Sequence, residues 1–252
     1  MLSKNRIKYI NALKNKKFRQ AYGAFIVEGA KSVIELIQSD FTIEFILATD
    51  EFRQKYTTIL SEHTPPLETV GPKDLEGIGS FQTNDSCLAV AKVKNNDLLL
   101  KSPGEYILAL DDIRDPGNLG AIIRVADWYG IHKIICSKDT TDWYNPKVVA
   151  ASKGSFTRVL PYYTDLYQYF GEYGSGEFIG GAFLGGSSLY EFEFPKAGGF
   201  VVMGNESNGI GEMVSKHITH QITIPRMGGA ESLNVGIATA IIIDNLRRGQ
   251  RL

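Results

Sequence analysis

The chain is poor in cysteine: Cys87 and Cys136 are the only two in 252 residues, and they lie far apart without metal-ligand spacing. That excludes a disulfide framework and a cysteine-based zinc site, and it suits a reducing, cytoplasmic setting. Histidine is also scarce. His63, His132, His217 and His220 form no motif with acids or cysteines, so no metal is expected. No apolar run approaches the roughly 20 residues of a membrane span. The opening Met1-Leu2-Ser3-Lys4-Asn5-Arg6 leads into more Lys and Arg, which argues against secretion and membrane insertion. Three signatures are missing as well: the Gly-Lys-Ser/Thr of a phosphate-binding loop, a dinucleotide fingerprint and a Gly-x-Ser-x-Gly nucleophile elbow. Readings as an NTPase, an NAD-dependent oxidoreductase or a serine hydrolase lose their support.

A formal net charge of −1 argues against a protein that coats nucleic acid by charge alone. The distribution is more telling. Lys4, Arg6, Lys8, Lys14, Lys16, Lys17 and Arg19 all precede the first acid, Glu28. Tyr9, Phe18 and Tyr22 interleave with them, and aromatic rings can stack on exposed bases. RNA contact is therefore expected at Lys14, Lys16, Lys17 and Arg19, against the plainer alternative of a solvated helix face. Phe81, Gln82 and Thr83 are weaker candidates for the same role.

Residues 24–93 read as a small α/β layer, with strands at 25–27, 43–48, 67–70 and 87–93 and helices at 29–38 and 51–61. Polar and turn-forming residues at 96–103 suggest a linker. Beyond it, apolar strands at 106–110, 133–136, 178–183, 200–203 and 221–224 alternate with helices at 119–129, 146–153, 165–172, 211–217 and 233–247. Without strict polar alternation, such strands imply a parallel sheet covered on both faces, with ligands held beyond the strand carboxyl ends. The stretch 171–186 is glycine-rich and reads as mobile.

Three strand ends could share one site. The first is Asn118-Leu119-Gly120 through Arg124, where Asn118 is a plausible N-cap and Leu119, Ile122, Ile123 and Ala126 make one apolar face. The second is Gly204-Asn205-Glu206-Ser207-Asn208-Gly209, in which Glu206 can accept from a ligand or orient a cation such as Arg124. The third runs from Ile224-Pro225-Arg226-Met227 to Glu231-Ser232-Leu233-Asn234-Val235, where Ser232 can cap a final helix that is apolar almost all round.

Together these segments resemble the three motifs of the SpoU/TrmH family, the RNA ribose 2′-O-methyltransferases of the SPOUT superfamily, over roughly residues 104 to 252. Residues 1 to 95 resemble the ribosomal-protein-like RNA-binding domain that often precedes this catalytic domain. The resemblance implies an α/β domain with a C-terminal trefoil knot, a homodimer with active sites near its interface, and S-adenosylmethionine as cofactor. It places the cofactor at Gly204, Asn205, Glu206, Ile224, Met227 and Leu233, and puts Asn118, Arg124, Glu206, Ser232 and Asn234 on the reacting side. It favours ribosomal over transfer RNA as substrate. A transfer-RNA methyltransferase and a non-enzymatic RNA-binding protein on the same fold are the alternatives. Arg226, where an apolar residue is common, and Gly236, where a small hydroxyl residue is frequent, depart from the family pattern.

Overall fold

The computed structural model describes residues 2–63, 66–80 and 86–250. They form two compact units, one of Met1–Asn95 with Asp142–Arg158, the other of Asn96–Thr141 with Val159–Leu252. The first begins with helices α1 (Lys4–Leu13) and α2 (Lys16–Tyr22). Ser3 caps α1 by accepting from the Arg6 amide, Asn15 caps α2 by accepting from Lys17, and Gly23 ends α2 in the left-handed region. There follow β1 (Ala24–Glu28), α3 (Ala30–Ile37), β2 (Ile43–Ala48), α4 (Asp50–Lys55), α5 (Thr57–His63), β3 (Leu67–Thr69), α6 (Pro72–Ile78) and β4 (Cys87–Lys92). The helix expected over 51–61 is thus two, broken at Tyr56. Sheet order is β1-β4-β2-β3, with β4 antiparallel to both neighbours and β2 parallel to β3. Ile10 and Leu13 of α1 and Leu75 and Ile78 of α6 pack on Ile26, Leu47, Leu88 and Val90.

The second unit is a six-stranded, wholly parallel sheet. In chain order the elements from here on are β5 (Tyr106–Leu110), α7 (Pro116–Trp128), β6 (Lys133–Ser137), α8 (Pro146–Ser152), β7 (Leu160–Thr164), α9 (Leu166–Tyr173), β8 (Ile179–Ser188), β9 (Gly199–Met203), α10 (Glu212–Ser215), β10 (His220–Thr223) and α11 (Val235–Gln250). The strand order is β10-β8-β9-β5-β6-β7. On one face, Tyr169, Phe170 and Val214 cover Ile107, Ala109, Ile179, Phe200 and Val202. Helices α7 and α11 pack together, and α7 buries Leu119, Ile122, Ile123 and Ala126, the apolar face its spacing predicts.

Three expectations are corrected here. The strand expected over 178–183, inside the glycine-rich stretch 171–186, is β8 and runs on to Ser188. Gly180 in that strand serves close packing, because a Cβ there would come within 2.7 Å of the Phe178 ring and 2.9 Å of Ile222. Helix α7 is capped by Asp115, whose carboxylate accepts from the Asn118 amide at 2.8 Å, with Pro116 at the first helical position. Helix α11 is capped by Asn234, whose Oδ1 accepts from the amides of Gly236 and Ile237, and not by Ser232. That helix is also open on one side, with Ile237 54% exposed.

The segment Asp142–Arg158, within the region expected to form the C-terminal domain, packs in the first unit. Phe25 and Phe41 meet Tyr144 and Phe156 there, with the Phe25 and Tyr144 centroids 4.5 Å apart. Burial pushes the Tyr144 hydroxyl up to about 12. Arg19 reaches the same segment. Its Nε and Nη2 donate to Asp142 at 2.9 and 2.6 Å, and its Nη1 donates to the carbonyls of Leu13 and Lys14.

Candidate active site

A cavity of about 710 Å³ lies in the second unit, beyond the carboxyl ends of β9 and β10. In open parallel sheets ligands bind beyond the carboxyl ends of the strands, and the size falls in the usual range for small-molecule sites. Ile222, Ile224, Leu233, Val235 and Ile242 supply apolar wall, while Glu206 and Ser232 supply polar groups. All six residues expected to hold the cofactor, Gly204, Asn205, Glu206, Ile224, Met227 and Leu233, line it. The carboxyl half of β8 adds Phe183, Leu184 and Gly185, which sequence reasoning missed because a glycine-rich strand carries no site signature.

The loop after β9 is built by its own asparagine. Asn205 and Gly209 exchange backbone hydrogen bonds at 3.0 and 2.9 Å. The Asn205 side chain accepts from Ser207 and Asn208 and donates to the Asp112 carbonyl at 2.9 Å. Asn205 therefore shapes the loop rather than offering free donors to a ligand. Gly204 is equally constrained, since a Cβ there would lie 2.2 Å from the Gly209 carbonyl carbon. A second latch, absent from the sequence reading, comes from Asp111 at the end of β5: its carboxylate accepts from the Gly211 amide at 2.7 Å. Burial raises the Asp111 pKa above the usual carboxylate value, and the Gly211 bond opposes the shift. The signal in the sequence was an Asp-Asp pair closing an apolar strand; the structure puts the second, Asp112, at φ +59°.

The three motifs meet through side chains. Asn234 Nδ2 donates to Asn118 Oδ1 at 2.8 Å, and Asn118 Nδ2 donates to Glu206. Asn118 is in the first turn of α7, Glu206 in the loop after β9 and Asn234 just before α11, so this chain of amides and one carboxylate joins three separate elements. Ser232 lines the cavity but takes no part in it. Arg124 stays apart: six residues beyond Asn118, it points about 240° around the helix from it. It lies on the exposed side of α7 with Ala121 and Trp128 and makes no hydrogen bond or ion pair among the described residues.

The family model described as SpoU rRNA Methylase matches residues 105–244, which include every one of these groups. The chain belongs to the SpoU family. A second model, for an MRM3-like substrate binding domain, matches residues 4–89. Among relatives, the 23S rRNA (guanosine(2553)-2′-O)-methyltransferase RlmP of Bacillus subtilis is 28% identical over 96% of each chain. RlmB of Neisseria meningitidis, a 23S rRNA (guanosine-2′-O-)-methyltransferase, is 34% identical over 56% of this chain and 58% of its own. In structure, an RNA methyltransferase of the TrmH family from Porphyromonas gingivalis aligns with a TM-score of 0.85 and 34% identity, covering 98% of this chain and 99% of that one. An AdoMet-bound rRNA methyltransferase from Sinorhizobium meliloti aligns at 0.87 with 26% identity, covering 98% and 96%. The apolar walls, the polar lining groups and the volume of the SpoU cavity fit S-adenosylmethionine, a ligand with an adenosine body, a sulfonium and a charged amino-acid tail.

The residues expected to contact RNA divide differently. Arg19 is only 3% exposed, its donors spent on Asp142 and two carbonyls, so it is not an RNA contact. Lys14 donates to the Gly79 carbonyl at 2.8 Å, whereas Lys16 and Lys17 are exposed and their side chains have no partner among the described residues. Phe81, Gln82 and Thr83 lie outside the described residues. Among the described residues no group of three His, Cys, Asp or Glu could hold a metal ion, and no helix is long and apolar enough to cross a membrane.

Proposed function

We propose that this chain transfers a methyl group from S-adenosylmethionine to a ribose 2′-hydroxyl of ribosomal RNA. The observation that carries the reading is the hydrogen-bonded chain Asn234, Asn118, Glu206, set beside an apolar cavity in a SpoU family member. Bound there, S-adenosylmethionine supplies an electrophilic methyl on a sulfonium. The loops after β9 and β10 hold it through Gly204, Glu206, Ile224, Met227 and Leu233. Positioning then provides much of the rate, because transfer needs an in-line approach of the ribose oxygen. The hydroxyl must also lose its proton, and within the cluster only Glu206 can accept one. Asn118 and Asn234 orient that carboxylate. A guanidinium is a poor base, so Arg124 is given the role of binding the flanking phosphate or stabilising the developing alkoxide.

The same helix supports a homodimer. Ala121, Arg124 and Trp128, the last 83% exposed, share one side of α7, and Ile237 is exposed on α11. A second copy covering this apolar surface would carry Arg124 to an interface. Residues 1–95, completed by 142–158, would bind RNA, with 96–103 as the linker and the remaining chain as the methyltransferase domain with its knot. The names of the relatives favour ribosomal over transfer RNA and a guanosine as target. A ribosomal substrate and two buried thiols, with Cys87 pushed up to about 12 by burial, support a cytoplasmic setting.

The test is incubation with methyl-labelled S-adenosylmethionine and RNA from cells lacking the protein, separating ribosomal from transfer RNA and mapping alkali-resistant linkages. Label in one resistant linkage of ribosomal RNA is expected, lost with Arg124→Ala while cofactor affinity is retained. Alkali-sensitive label, or near-normal turnover by the variant, refutes the assignment.

A further inference from the structure

Helix α2 turns two aromatic rings toward solvent. Phe18 and Tyr22, four residues apart, are 40% and 48% exposed, an unusual use of large apolar surface on a short helix otherwise rich in lysine. The rings stack on each other, with centroids 6.2 Å apart and planes 19° from parallel. They are held from behind: Tyr9 meets Tyr22 edge-on at 5.2 Å and 84°, and its hydroxyl donates to Glu44 at 2.8 Å. Lys92 pairs with that same carboxylate. The rings are thus oriented by a fixed network, and their outer surface is uncovered.

The charge carried by α1 and α2 themselves has one sign. Lys4, Lys8, Lys16 and Lys17 are exposed and unpaired among the described residues, and no acid precedes Glu28. A protein partner with a hydrophobic face would leave those cations uncompensated. A nucleic-acid strand satisfies both features, since every base has a π-face and every linkage a negative charge. We propose that Phe18 and Tyr22 form a stacking platform for an unpaired nucleobase of the RNA, with Lys16 and Lys17 holding the adjoining phosphates. The proposal rests on the reading of the chain as an RNA methyltransferase and adds to it a preference for RNA presenting a loop or bulge. A continuous duplex hides its base faces and cannot use the platform.

The test uses the full chain and two fluorescent RNA probes of equal charge, a hairpin with an unpaired loop and a blunt duplex, compared by anisotropy at one fixed salt concentration. Tyr22→Ala is expected to weaken hairpin binding about 5- to 150-fold, the worth of one stacked base, while Tyr22→Phe restores it. Duplex affinity should stay at the wild-type value in both. Phe18→Ala gives an independent check should loss of the Tyr9 contact disturb Tyr22→Ala, and a melting temperature matching wild type qualifies each variant. Equal losses on hairpin and duplex, or no loss on either, overturns the platform. So does a loss seen only on assembled ribosomal particles, which would assign the face to a protein. Wild-type chain that transfers no methyl group to any RNA overturns the underlying reading instead, and methyl transfer with indifferent hairpin and duplex binding overturns the platform alone.

Discussion

Replacing Arg19 with alanine should unfold the first unit early without acting through RNA at all. The guanidinium makes four hydrogen bonds, two to Asp142 and one each to the carbonyls of Leu13 and Lys14. Its side chain is 4% exposed and that of Asp142 19%, so the pair is largely dry. Removing one partner of a buried ion pair costs about 3–5 kcal/mol, because the other charge is left desolvated. Some water reaches Asp142, which places the expectation near the lower end, at about 3 kcal/mol. At roughly 2–4 °C per kcal/mol for a chain of this size, the melting temperature should fall by about 6–12 °C. The assay is calorimetry of wild type, Arg19→Ala, Asp142→Ala and the double variant, with Lys17→Ala as the exposed control. The double variant should cost much less than the two single losses added, since each exposes the same broken pair. Replacing both with apolar residues, Arg19→Met and Asp142→Leu, should recover most of the stability. An Arg19→Ala protein that melts within 1 °C of wild type but binds RNA more weakly would refute the reasoning and return Arg19 to the RNA-facing surface.

Asn234→Ala removes both the cap of α11 and the bond to Asn118, so a loss of about 1 kcal/mol in thermal stability should accompany a fall in methyl-transfer rate. Asn234→Asp, which keeps the cap, should restore the stability and not the rate. Gly204→Ala places a methyl group against the Gly209 carbonyl, and isothermal titration should show cofactor binding lost or greatly weakened while the second unit keeps its far-ultraviolet spectrum. Asp111 has a raised pKa in the folded state, so its ionisation costs stability as pH rises from the usual carboxylate value through the raised one. Melting temperature measured against pH should lose that declining component in Asp111→Asn, whose amide oxygen can still accept from Gly211. An unchanged profile would show that Asp111 does not titrate in that window.

Much of the second unit could be read from sequence because its strands are continuous apolar runs, such as Tyr106–Leu110 and Gly199–Met203, buried at every position. β7 escaped notice for a physical reason: Leu160-Pro161-Tyr162-Tyr163-Thr164 contains a proline, which an edge strand accepts and an inner strand would not. The site residues were legible through motif spacing, yet their local duties were not. Asp115 and Asn118, like Ser232 and Asn234, are close pairs of cap-forming types, and choosing between them requires the backbone path. Pro116 was the unused clue in the first case. Arg19 could not be told from its basic neighbours at all, because the partner that buries it lies 123 positions away. The separation of Arg124 from the Asn118 cluster, by contrast, was implicit in helical periodicity, since residues six apart do not share a face.

The return of Asp142–Arg158 to the first unit also orders events in time. Synthesis must proceed roughly 60 residues past Asn95 before Arg158 exists, which takes about 3–12 s at ordinary elongation rates. During that interval Phe25 and Phe41 lack Tyr144 and Phe156, and Arg19 lacks its carboxylate. The part of the protein made first therefore cannot be finished first. Its completion waits on β5, α7 and β6 leaving the ribosome, so a pause in translation between Asn95 and Arg158 would prolong the exposure of that aromatic face to chaperones and proteases.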